Sequence, residues 1–106
     1  MATALETYRR VIAAQPTCND SFFTEALARY RAGNESAARD ISGSCLRLAL
    51  QIVETHSPDP ASPSFDAIQE ANAGLMEAIT TFGGDDFQDF LHYAQERIQQ
   101  RLAALA

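Results

Sequence analysis

The chain has 106 residues, 46% of them hydrophobic and 21% charged, with five Gly, four Pro and no Trp; this balance excludes the collagen-like, disordered and disulfide-dense classes. A chain of this length buries roughly 65% of the surface its unfolded form exposes, enough for one modest core and one domain. Eight basic residues, all Arg, face fourteen acidic ones for a net charge of −6, which argues against sequence-independent nucleic-acid binding, because neutralising phosphates needs clustered cations.

Thr3-Ala-Leu-Glu6 has capping-box spacing, and Leu5, Tyr8 and Ile12 recur at helical intervals, so a first short helix is expected to end near Gln15-Pro16. A polar stretch from Pro16 to Ser21 leads to a second helix in which Phe23, Leu27 and Tyr30 share a face and Gly33 supplies a left-handed stop. Asn34 is placed to cap a third helix, Glu35 to about His56, with Ile41, Cys45, Leu48, Ile52 and His56 as its apolar stripe. Ser57 to Ser64 holds three prolines in eight residues, which neither a helix interior nor a central strand accepts, so a surface connector is expected there. Ser64 caps a fourth helix carrying Phe65, Ile68, Asn72, Leu75, Ile79 and Phe82 and ending at Gly83-Gly84. Asp85 or Asp86 opens a fifth, with Phe87, Phe90, Leu91, Ala94, Ile98 and Leu102 on its apolar side. No period-two alternation interrupts these patterns. The expected fold is all-α, a compact bundle of four to five helices, with accessory helices over 1–33, core helices over 34–106 and a Pro-rich loop at 57–64.

No apolar run reaches the roughly 18 to 20 residues of a membrane span. Met1 to Thr7 has no basic segment leading into an apolar stretch, so a cytoplasmic protein without a membrane partner is expected. Cys18 and Cys45 have neither a CxxC partner nor a secretory context and are read as free thiols filling small apolar gaps.

At the fourth helix the residue order stops being generic. Asp66-Ala-Ile-Gln-Glu-Ala-Asn-Ala-Gly-Leu-Met-Glu-Ala-Ile-Thr-Thr-Phe82 resembles the DLIQEGNxGLxxAxxxF segment of primary-type bacterial RNA polymerase sigma factors. Phe90-Leu-His-Tyr-Ala-Gln-Glu-Arg-Ile-Gln-Gln-Arg-Leu102 aligns without a gap on that family's FSTYAxWWIRQAI. Upstream, Leu27-x-x-Tyr30-x-x-Gly33-Asn34-x-x-Ala37 and Leu46-Arg-Leu48 resemble two further signatures, and Tyr8 and Ile12 with the Gln15-Pro16 exit resemble the short helix that precedes them. The resemblance covers nearly the whole chain, in order. It implies the fold of sigma conserved region two with its preceding short helices and without promoter-distal helix-turn-helix domains. The chain would then be an isolated domain of a larger factor or a reduced stand-alone relative.

The resemblance implies two surfaces. In the family, the helix matching Phe65 to Thr81 docks on the clamp coiled coil of the polymerase's largest subunit; the matching positions here are Asp66, Gln69, Glu70, Asn72 and Met76, and each holds the family's residue. Helical spacing agrees in part, since Asp66, Glu70, Ala73 and Glu77 share one stripe, with Gln69 beside it, away from Ile68, Leu75 and Ile79. Such an acidic face suits a basic partner helix, charge speeding encounter more than adding affinity. Asn72 lies at the edge of the apolar stripe, where its amide must be hydrogen-bonded inside the protein or by a partner.

The second surface departs from the family, whose helix matching Phe90 to Leu102 melts the promoter's minus-ten element with aromatics and cations. What remains of a DNA-binding set is Phe90, Tyr93, Arg97 and Arg101. The paired tryptophans are replaced by Glu96 and Arg97, a basic position is Gln99, Asp89 stands where Lys is usual, and the turn Gly83-Gly84-Asp85-Asp86 is acidic. Reading unstacked bases requires free π-faces and positive charge; losing both forfeits more than about 4 kcal/mol, roughly a thousandfold in affinity. Phe90 also has the spacing of a core residue.

Other chemistry is missing from the pattern. Asp89, His92 and Glu96 share one helix face, but a zinc ion there would be under-coordinated without ligands from a second helix. His56 ends a helix, where a cation complements the dipole. With no phosphate loop, nucleophile elbow or paired thiol motif, neither an enzyme nor a cofactor or metal is expected. The leading expectation is a transcription protein, sigma-like, that binds the RNA polymerase core while its promoter surface is degraded, with an anti-sigma protein as a further partner for the acidic face. The alternatives are a sigma fragment that still binds promoter DNA with altered preference, and a helical interaction module that keeps only the fold.

Overall fold

The computed structural model describes residues 3–15, 17–57, 59 and 63–105. Five helices follow in order: α1 (Ala4–Ala14), α2 (Asp20–Arg31), α3 (Ser36–His56), α4 (Phe65–Thr81) and α5 (Phe87–Leu105), with no strand among the described residues. The fold is all-α, as the periodicity predicts. Pro16 and most of the proline-rich connector, residues 58 and 60–62, lie outside the described residues.

Local chemistry accounts for most helix ends. Thr3 completes its capping box: its Oγ1 accepts from the Glu6 amide, and the Glu6 carboxylate accepts from the Thr3 amide. Asn19, Ser64 and Asp86 each accept from a backbone amide three residues on, at 2.8, 3.1 and 3.0 Å, at the starts of α2, α4 and α5. α2 closes in a Schellman motif, with Gly33 at φ +104°, its amide donating to the Tyr30 carbonyl and that of Asn34 to the Arg29 carbonyl. Asn34 is therefore used twice. Its Oδ1 accepts from both the amide and the hydroxyl of Ser36, so α3 begins at Ser36, one residue later than the expected start at Glu35.

One core joins all five helices. Phe23 of α2, Ile41 and Val53 of α3, Leu75 and Ile79 of α4, and Phe90 and Ile98 of α5 are the largest fully buried side chains, and Ile12 of α1 belongs to the same cluster. Helices α1 and α2 thus share a single interior with α3, α4 and α5. An aromatic cluster closes one end, with Phe23 tilted against Phe90 at 4.8 Å and Phe82 meeting Phe90 edge-on at 5.4 Å. Such pairs add roughly 0.5–1.5 kcal/mol each beyond area burial.

Some expected core positions sit at the margin. Phe65 is 44% exposed because it occupies the first turn of α4. His56 is also exposed; its Nδ1 lies 2.9 Å from the Ile52 carbonyl, a helix-end contact. Among the described residues no helix is long and apolar enough to cross a membrane.

Candidate functional site

α4 and α5 cross closely, and the sequence permits this because α4 carries Gly74 at the crossing. A Cβ there would lie 3.1 Å from the Ile98 Cα and 3.2 Å from the Arg101 Cδ. On either side of Gly74, one turn apart, α4 presents Glu70 and Glu77, while α5 presents Arg97 and Arg101 at i and i+4. The crossing brings these four together. The Arg101 guanidinium donates to Glu77 at 2.9 and 3.1 Å and to Glu70 at 3.2 Å, and Arg97 donates to Glu77 at 3.4 Å. The Glu77 and Glu70 carboxylates hold the Arg101 guanidinium even more firmly protonated than usual.

The network continues into Tyr93. Its hydroxyl lies 2.6 Å from Thr81 Oγ1 and accepts from Arg97 at 3.1 Å, while the Arg97 guanidinium sits 4.9 Å from the Tyr93 ring centroid. Phe82 approaches the same ring at 5.6 Å. Phe90 is only 1% exposed. The four residues expected to remain of a DNA-reading surface therefore have other occupations in this fold: Phe90 fills the core, Tyr93 is held between Phe82 and Arg97, and both arginines are paired with α4 carboxylates. Of the two readings open for Phe90, the structure places it as core. It offers no face to a base, because the ring is only 1% exposed and meets Phe23 and Phe82.

On α4 the five matched positions divide. Asp66 and Gln69 are exposed, and Met76 is 36% exposed on the same side. Glu70 is half-buried and belongs to the Arg101 network. Asn72 faces α1, donating from Nδ2 to the Tyr8 hydroxyl at 3.0 Å, and its Oδ1 is buried without a hydrogen-bond partner. The free part of the face is a stripe through Asp66, Gln69 and Met76, bordered by α1 on one side and by the ion-pair cluster on the other.

Beside Met76 a shallow groove of ≈ 460 Å³ extends across Thr80 to Tyr30, Gly33, Glu35, Ala38 and Arg39. This α2–α3 wall carries none of the residues expected at the site; the Gly33-Asn34 turn, which sets α2 against α3, was the signal available. A larger groove of ≈ 900 Å³ lies at the other end, where Val53, His56, Ala67, Leu102 and Leu105 meet, and none of the nine expected site residues lines it. Among the described residues no three His, Cys, Asp or Glu side chains converge as metal ligands do; Asp89, His92 and Glu96 are all exposed along α5.

No protein-family model matches the chain, and no curated protein matches it.

What this arrangement offers chemically is side-chain recognition. An exposed carboxylate, an amide and an adaptable thioether stand side by side on a rigid helix, next to a groove with one further cation and one further acid at its rim. Docking needs this combination: polar groups for register and an apolar patch for affinity.

Proposed function

We propose that the protein is a sigma-factor-like transcription protein that binds the clamp coiled coil of RNA polymerase through α4 and does not open promoters by itself. Asp66, Gln69 and Met76 form the contact, with Glu70 at its edge and the neighbouring groove receiving the rim of the partner. The observation that carries this reading is the contrast between two adjacent helices. The α4 residues that match the family's docking positions include three exposed, uncommitted side chains, whereas every matched aromatic or cation of α5 is committed within the fold. As a free-standing protein it would occupy the clamp and compete with an initiating factor.

The test is retention of an isolated clamp coiled-coil fragment on the immobilised chain. Wild type retains it. Asp66→Arg, which places a cation against the basic partner helix, weakens retention at least about tenfold, equivalent to about 1.4 kcal/mol, and Gln69→Ala weakens it less. Both variants are exposed-surface changes and keep the wild-type circular dichroism. Failure of the wild type to retain the fragment removes the proposal and leaves the interaction module. That second reading has its own observation in the ≈ 900 Å³ apolar groove at the far end of α4 and α5, which holds none of the matched positions.

A further inference from the structure

α1 is the least anchored of the five helices. It buries one residue, Ile12, with Leu5 and Tyr8 half-buried against the core cluster and Val11 49% exposed, whereas α3 buries eight residues and α4 six. Among the described residues two side-chain hydrogen bonds tie α1 to other helices: Arg9 donates to Glu54 of α3 at 3.2 Å, and the Tyr8 hydroxyl accepts from Asn72 of α4 at 3.0 Å. The Arg9–Glu54 ion pair is partly exposed, and such pairs add little. A helix of eleven residues is marginal by itself in water, so α1 opens at a lower cost than the helices that share the rest of the core.

Tyr8 meets α4 in the middle of the proposed docking stripe. Gln69, Asn72 and Met76 follow one another along α4 at i, i+3 and i+7, so they share one side of the helix. Gln69 and Met76 are exposed, and Asn72 between them is the one that α1 withholds. Tyr8 satisfies only half of that amide, because Asn72 Oδ1 is buried without a hydrogen-bond partner. The closed arrangement therefore carries a desolvation cost that opening relieves.

We propose that α1 is a displaceable cover over Asn72, which opens locally while α2 to α5 stay folded and so regulates docking on α4. This regulation rests on the docking reading above and adds a second stage to it. A basic partner helix first meets Asp66, Gln69 and Met76; when α1 swings away, an arginine or lysine N–H of the partner donates to Asn72 Oδ1 and makes the bond that the closed chain lacks. The partner thus binds the open chain more tightly than the closed one. Linkage then fixes two signs: loosening α1 tightens partner binding, and partner binding releases α1. A purely structural role for α1 gives a different sign, since variants that loosen it would then weaken binding or leave it unchanged.

The experiment pairs amide hydrogen exchange with binding of the isolated clamp coiled-coil fragment, on the full chain. In the free wild type, α1 amides are expected to exchange faster than those of α3 and α4, and to lose further protection when the fragment binds. Tyr8→Phe and Arg9→Glu, the second setting a carboxylate against Glu54, are each expected to bind the fragment at least about threefold more tightly than wild type. In an Asn72→Leu background, Tyr8→Phe brings no gain. α1 amides that exchange only with global unfolding overturn the proposal without reference to any partner. So do α1 amides that keep or gain protection on binding, or Tyr8→Phe and Arg9→Glu chains that bind no more tightly than wild type; the docking reading survives both. A wild type and variants that all fail to bind the fragment remove the docking reading and the cover with it. Should Arg9→Glu fail to fold, Tyr8→Phe and the exchange pattern of the wild type decide.

Discussion

Tyr8 and Asn72 form a single hydrogen bond between α1 and α4, yet removing one partner or the other has different consequences. Tyr8→Phe deletes the hydroxyl and strands the Asn72 Nδ2 beside an Oδ1 that is already buried without a partner. The desolvation of both amide atoms is then uncompensated, and a cost of about 1–3 kcal/mol is expected. Asn72→Leu removes the amide itself. It gives up one bond but relieves the buried orphan, and its cost is expected to stay below about 1 kcal/mol. Urea midpoints of the two variants at equal slope check the order. Were Asn72→Leu the more destabilising, the Asn72 Oδ1 would have to be satisfied by solvent in solution. The same pair bears on the proposed docking face: Asn72 is spent on α1, so a partner approaching α4 would meet Asp66, Gln69 and Met76 first.

At the scale of the helices, Gly74 decides how closely α4 and α5 approach. An alanine there gains up to about 1 kcal/mol in helix propensity but drives a methyl to 3.1 Å from the Ile98 Cα, a backbone atom of a packed helix that is not free to give way. Overpacking of this kind costs about 1–3 kcal/mol. Gly74→Ala is expected to be net destabilising by about 1 kcal/mol and to lower Tm by roughly 4–8 °C in a chain of this size. Gly83→Ala is the matched control, since a Cβ there meets nothing within 4 Å, and it should leave Tm unchanged or slightly raised. A rise in Tm for Gly74→Ala would show that the crossing has slack. This contact also marks where sequence reading stopped. Caps and periodicity are local, so Thr3, Ser64 and the Gly33 stop placed the helices within a residue, and Asn34 missed by one because its backbone amide closes the α2 turn while its Oδ1 is taken by both the amide and the hydroxyl of Ser36. Ion pairs between helices are not local. Glu70 and Glu77 read as part of an acidic stripe suited to a basic partner helix, and Arg97 and Arg101 as remnants of a strand-binding surface, because neither helix alone tells which neighbour it faces. Gly74 midway between the two glutamates, with arginines four apart on the next helix, was the pattern that anticipates their pairing. Phe90 had the spacing of both a core residue and a base platform, and only the Phe23 and Phe82 rings meeting it separate the two.

Over the whole molecule, charge and π-surface decide what the chain can do with nucleic acid. The net charge is −6, and the two arginines of α5 are neutralised by Glu70 and Glu77 at 2.9 to 3.4 Å. The Tyr93 ring carries the Arg97 guanidinium, and Phe90 is 1% exposed. A single strand approaching this surface finds neither a free cation pair nor an open ring, and base stacking at about 1–3 kcal/mol per base is lost with them. Wild type is therefore expected to bind a labelled minus-ten single strand more weakly than about 10⁻⁴ M at physiological salt, the weak end of non-specific binding. The network itself supplies the converse experiment. Glu70→Gln with Glu77→Gln removes two negative charges, taking the net charge from −6 to −4, keeps the side-chain shapes, and releases Arg97 and Arg101 to solvent. Two freed cations correspond to a slope of about −1.4 in log affinity against log salt for a single strand. Anisotropy titrations at two salt concentrations, on variants verified as folded, should show binding emerge at low salt with that slope. Tight binding by the wild type with a steeper slope would mean that the α5 arginines leave their glutamates in solution, and the chain would then have to be read as a promoter-binding fragment.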